Sequence, residues 1–253
     1  MASRANSTSA KVSVSLRLPK LQPELRPSLR VGGLTRLSTC DWPGELVATV
    51  FCQGCAWDCA YCHNASLRPA QSESQIAWPD VLAFLENRRG LLDAVVFSGG
   101  EPTLQPALLD AIESTRALGF RIGLHTAGMV PQNFARLLPL IDWVGFDVKA
   151  PVNAYARITG VEDSGARAME SLRLLLASGV AYEVRTTLHP SLLSMEEMSE
   201  LRDHLLSLGV THYAVQQFRA EGVCADRLQH LSAHPRLTLP AYFGKDFLHF
   251  QLR

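Results

Sequence analysis

Residues 51–64 read FCQGCAWDCAYCHN and hold four of the chain's six cysteines, Cys52, Cys55, Cys59 and Cys62. Cys55, Cys59 and Cys62 form a C-x3-C-x2-C pattern. A zinc site usually takes two separated cysteine pairs, or cysteines joined by histidines further along the chain. Here all candidates sit in one short stretch, as thiolates do when they hold an iron–sulfur cluster. Three thiolates on a four-iron cluster would leave one iron open to a substrate or cofactor. Cys52 lies outside that spacing, within the end of an apolar run, and as a fourth ligand it would close the open position. The rival reading is a non-catalytic zinc-binding module that uses all four cysteines.

The elements around this stretch alternate in type. ELVATVF (45–51), DAVVFSGG (93–100), RIGLHTAG (121–128), DWVGFDVKAP (142–151), YEVRTTLHP (182–190) and HYAVQQF (212–218) read as strands. Helical spacing of apolar residues falls between them, at 78–88, 106–118, from Pro131 through Leu138, at 166–177 and at 195–208. Pro131 suits a first turn. Six strands separated by helices imply right-handed crossovers and a parallel sheet. Six units fall short of a closed eight-fold barrel, so an open or partial barrel, or a doubly wound sheet, fits the count. In each of these, ligands sit at the C-terminal ends of the strands.

Polar residues collect at those ends. After the first strand comes the cysteine stretch, and after the second Ser98-Gly99-Gly100-Glu101. His125 and Thr126 follow at the third, Asp147 and Lys149 at the fourth, Arg185, Thr187 and His189 at the fifth, and Gln216, Gln217 and Arg219 at the sixth. Any one of them alone reads as a satisfied loop residue, and His189 before Pro190 in particular does. Together on one rim beside a metal-binding stretch they read as a site. Cys40 and Cys224 stand alone and read as small buried hydrophobes. Trp57 reads as loop packing.

The cysteine pattern, with Tyr61 before the last cysteine, and Gly99-Gly100-Glu101 after the second strand resemble the radical S-adenosylmethionine (SAM) enzymes. Within them, Asp41-Trp42-Pro43-Gly44, Cys62-His63-Asn64 and Asp147-Val148-Lys149 look like the activating enzymes of glycyl radical enzymes. STCDWPGELVATVFCQGC, FSGGEPTLQ, LHTAG, WVGFDVKAP and RTTLHPSLLS look like the subgroup that activates anaerobic ribonucleoside-triphosphate reductase. The resemblance covers residues 31–253. It implies an α/β fold, a partial (β/α)6 TIM-like barrel of parallel strands. It implies a [4Fe–4S] cluster on Cys55, Cys59 and Cys62, with SAM chelating the fourth iron. Gly99 and Gly100 would lie along the methionyl part of SAM, and Glu101 would hold its ammonium or brace the loop. Tyr61 would lie near the adenine, and Lys149 would face the carboxylate or ribose. Arg185 and Arg219 would point at the same rim. Thr126 and Asp147 match positions that hold a monovalent cation in related activases. His125 departs from that pattern, standing where an aspartate is common. The implied reaction is reductive cleavage of SAM to a 5′-deoxyadenosyl radical that takes hydrogen from a glycine. Its partners are a glycyl radical enzyme, here the large subunit of anaerobic ribonucleotide reductase, and an electron donor such as flavodoxin or ferredoxin. A different glycyl radical enzyme, or a small molecule, is the alternative target.

The bulk properties set the bounds. The 253 residues are 47% hydrophobic and 19% charged, an ordinary globular composition with room for a sizeable core. Formal net charge is zero, which gives no bulk reason to expect nucleic acid or a membrane surface as partner. No apolar run reaches the length of a membrane span. Residues 1–30 are rich in Ser and basic residues with Glu24 as their single acid. They read as a disordered tail outside the 31–253 domain, with a transit peptide as the alternative. With no secretory signal, a reducing, cytoplasmic setting is expected, where clustered cysteines more often bind metal than pair.

Overall fold

The computed structural model describes residues 27–220, 223 and 238–253. Cys224 and most of the expected tail lie outside the described residues. Leu29 is buried, and the Arg30 N–H donates to Gln105 Oε1.

All six expected strands form: β2 (Val47–Cys52), β3 (Ala94–Gly99), β4 (Arg121–Thr126), β5 (Trp143–Asp147), β6 (Ala181–Leu188) and β7 (His212–Gln217). Each pairs parallel with the next. Two further strands flank them. β1 (Val31–Ser38) pairs antiparallel with β2, and β8 (His249–Leu252) pairs parallel with β7. Two glycines blur the alternation of β1, and β8 has only four residues, mostly exposed. The order runs β1 to β8 without reversal. A doubly wound sheet reverses its order at a switch point, so the unbroken order is that of a barrel wall, here left open between two edge strands.

The helices α1 (Trp78–Glu86), α2 (Leu108–Ala117), α3 (Pro131–Leu137), α5 (Ser164–Ser178) and α6 (Met195–Ser207) fall where apolar spacing places them. A Ser194–Glu197 capping box starts α6. The five-residue helix α4 (Tyr155–Thr159) was not expected, being too short to show a period. It ends on Gly160 in the left-handed conformation. Among the described residues no helix is long and apolar enough to cross a membrane.

Strand alternation divides the sheet into two faces. Ala48, Val50, Cys52, Val95, Phe97, Leu124, Val144, Phe146 and Val184 join the helix side chains in one large core. Val47, Ala94, Val96 and Trp143 face the barrel interior and form a small core with Trp42. Trp42 stacks on Trp143 with ring centroids 5.4 Å apart, plugging the N-terminal end of the barrel. The Arg121 guanidinium, paired with Glu45, lies against Trp42.

Candidate active site

The inward parity that places Trp143 in the plug also turns Ser98, His125, Asp147, Arg185, Thr187 and Gln216 into the barrel. All six line a cavity of about 740 Å³ at the C-terminal ends of the strands. Cys55, Cys59, Cys62, Tyr61, Gly99, Gly100, Glu101, Thr126, Lys149, Gln217 and Arg219 line it too. His189 does not, and its Nδ1 accepts from the Ser191 N–H in a local turn. Cys40 corrects the expectation: it is exposed and borders the cavity.

The four cysteines separate. Cys52 shares the outer face of β2 with Ala48 and Val50, fully buried under the helices and away from the cavity. A four-cysteine site would need it on the other face. Cys55, Cys59 and Cys62 sit on the loop that leaves β2, and backbone hydrogen bonds hold that loop. The Cys55 N–H donates to the Arg68 carbonyl. On either side of Cys59, the N–H groups of Asp58 and Ala60 donate to the carbonyls of Thr159 and Ile158 at the end of α4. The Cys62 N–H turns back to the Cys59 carbonyl. Trp57 packs edge-on against Tyr155, whose hydroxyl accepts from the Lys149 N–H. α4 is thus the support of the cysteine loop. Its left-handed Gly160 was the available sequence signal.

Burial, then the nearby Glu101 carboxylate, pushes the Cys55 thiol up to about 12. Burial likewise raises Cys59, against the pull of Lys149. Both thiols hold their protons until a metal displaces them. Among the described residues no three His, Cys, Asp or Glu side chains converge as ligands of a single ion would. A cubane needs one thiolate per iron, from separated thiols. Three thiols on one loop, lining one cavity, are a donor set of the kind a [4Fe–4S] cluster takes.

Gly99 and Gly100 have a structural reason to be glycine. A Cβ on Gly99, at φ +109, would stand 2.5 Å from the Cys52 nitrogen, and one on Gly100 would stand 2.3 Å from the Gly54 carbonyl oxygen. The two glycines let the end of β3 nest against the root of the cysteine loop. Gly100 N–H donates to Cys52 and Glu101 N–H to Gly54.

Glu101 braces the loop. Its Oε1 accepts from Thr103 N–H, Thr103 Oγ1 and Thr126 Oγ1, and its Oε2 from Ala127 N–H. Thr126 Oγ1 also accepts from Gly128 N–H, so its hydroxyl is already committed. Lys149 is buried with Nζ 3.8 Å from Asp147 Oδ2 and 5.5 Å from the centre of the Tyr61 ring. Burial acts to lower Lys149, yet Tyr61, Cys59 and Asp147 outweigh it and hold the ammonium well above its ordinary value.

Deeper in the barrel, His125 Nε2–H donates to the Asp41 carbonyl at 2.6 Å, and Ser98 Oγ faces Nδ1 at 3.3 Å. Burial first, and the Arg185 guanidinium next, pull His125 down to about 3, so the ring is neutral. Thr49 Oγ1 donates to Asp41 Oδ2, which explains why the Asp41-Trp42 pair precedes β2. Arg185 crosses Gly145, where a Cβ would meet its Cζ at 2.6 Å. It lies over Trp143, and its Nε donates to Glu183. Its Nη2 is buried with no acceptor among the described residues. Such an orphaned donor is costly unless a bound molecule accepts from it. Asp41, Trp143 and Tyr155 carried no reading of their own from sequence, because their roles depend on non-local packing.

Comparison with known proteins follows the same residues. The family model described as the radical SAM superfamily matches residues 49–208. A protein of Methanocaldococcus jannaschii named for glycyl-radical enzyme activation is 29% identical over 74% of this chain and 79% of its own length. The pyruvate formate-lyase-activating enzyme of Clostridium pasteurianum is 29% identical over 66% of this chain and 72% of its own. The crystal structure of QueE from Escherichia coli superposes with TM-score 0.52 at 14% identity, covering 89% of this chain and 94% of that one, a likeness of fold.

Proposed function

This chain belongs to the radical SAM superfamily, and from that membership we propose that it activates a glycyl radical enzyme, the large subunit of anaerobic ribonucleotide reductase. The observation that carries the reading is the cavity wall. It sets three cysteines of one loop beside Gly99, Gly100 and Glu101, at the mouth of a barrel open on one side. The relatives named for glycyl-radical enzyme activation supply the class of target. The quoted motif stretches supply the choice of reductase.

A bound [4Fe–4S] cluster and SAM would supply one-electron reductive cleavage chemistry for removing hydrogen from a partner glycine, the electron coming from an external donor. The chain's own residues bind, orient and exclude water. Cys55, Cys59 and Cys62 hold the cluster. Gly99 and Gly100 bring backbone close to the amino-acid end of SAM, and Lys149 offers it a cation. Glu101 keeps the loop rigid. Tyr61 closes the cavity beside Lys149, and Arg185 offers its spare donor to an acceptor atom in the cavity. Thr126 and Asp147 complete the rim.

Anaerobic reconstitution with iron, sulfide, SAM and a flavodoxin or ferredoxin reductant tests the reading by electron paramagnetic resonance. The expected result is a brown protein that places a glycyl doublet on the reductase large subunit. SAM cleavage with no doublet on that subunit would transfer the assignment to another glycyl radical enzyme or a small molecule. A colourless protein that takes zinc would end it.

A further inference from the structure

His63 directly follows Cys62 and lines the same cavity, and its ring reaches the segment that leaves β7. Nε2–H donates to the Arg219 carbonyl at 2.8 Å, across 156 residues of sequence. The ring lies 5.5 Å from that of Phe218, which in turn packs edge-on against His189 at 4.7 Å. Phe218 is itself fixed, because its N–H donates to the Leu188 carbonyl at the end of β6. The loop leaving β2 is thereby fastened to the segment leaving β7. β2 opens the parallel run and β7 lies five strands further along it, and among the described residues the two do not pair with each other.

We infer that His63 is a positioning residue that latches the Cys62 end of the cysteine loop to the opposite wall of the barrel. The inference rests on the reading that this loop holds the cluster. The other two cysteines have backbone anchors on Arg68 and on α4. Among the described residues the Cys62 N–H bonds to the Cys59 carbonyl, a tie within the loop and not to the barrel. The His63 side chain supplies the missing tie. It sets the distance between Cys62 and the β6–β7 side of the cavity, where Gln216, Gln217 and Arg219 stand.

Two variants separate the parts of the latch. His63→Phe keeps an aromatic ring against Phe218 and removes the donor. His63→Gln restores a donor of similar reach. In hydrogen–deuterium exchange on the iron-free full chain, His63→Phe should speed exchange about fivefold, the worth of one net hydrogen bond, in peptides covering 59–66 and 218–220. His63→Gln should return it toward the original rate. In the reconstituted protein, His63→Phe should alter the resonance of the reduced cluster with SAM and raise KM for SAM, with His63→Gln rescuing both. Unchanged exchange in His63→Phe, or equal loss of protection across the whole chain, overturns the latch. If the parent protein takes up no iron, the cluster reading fails, and the exchange result still decides whether the tie exists.

Discussion

Cys52 and Cys55 are three positions apart and differ in access: parity turns Cys52 outward at the end of β2, and Cys55 lies on the loop beyond it and lines the cavity. Cys52→Ser should therefore keep iron content and visible absorbance near those of the parent. Cys55→Ala, Cys59→Ala and Cys62→Ala should each abolish SAM cleavage. Loss of iron in Cys52→Ser would contradict the assignment. Gly99→Ala should lower the melting temperature even without iron or SAM, because its Cβ would strike the Cys52 backbone. An unchanged melting temperature would leave cofactor contact as the sole reason for glycine there. Glu101→Gln should cost on the order of 3 kcal/mol, since an amide turns donors toward donors in a buried network. Denaturant unfolding measures this. His125 is neutral in the fold and protonates in the unfolded chain near its ordinary 6.5. Its contribution is thus present above that pH and is lost as pH falls from there toward about 3. His125→Gln should flatten the fall in stability across that window.

At the level of elements, β2 to β7 and five helices were legible because each is long enough to show a period of 2 or 3.6. β1, β8 and α4 were not. The first carries two glycines, the second has four residues, and the third has five. The site was legible in the same uneven way. The cysteines stood out by spacing, and Gly99-Gly100-Glu101 by their place after the second strand and by the family resemblance. The carbonyls of Ile158 and Thr159 that hold the cysteine loop belong to backbone, which sequence does not mark. Gly160→Val should strain the left-handed end of α4 by about 1 kcal/mol or more. It should speed amide exchange at Asp58 and Ala60 before it affects the sheet. Equal exchange at those two amides would show that α4 does not support the loop.

For the molecule as a whole, cluster and SAM bind the folded state alone, so occupancy should appear as stability. SAM at a hundred times its dissociation constant should add about 2.7 kcal/mol to the reconstituted protein. It should add little to the iron-free one, where no open iron chelates it. Thermal unfolding of the two forms checks this, and equal shifts would place SAM elsewhere. The Trp42–Trp143 stack has a further consequence. It closes the barrel floor, with Arg121 and Glu45 beside it, so access is left to the mouth and the open side. Under the proposed function, a partner's glycine must come to the cavity from the mouth or the open side, and never through the floor.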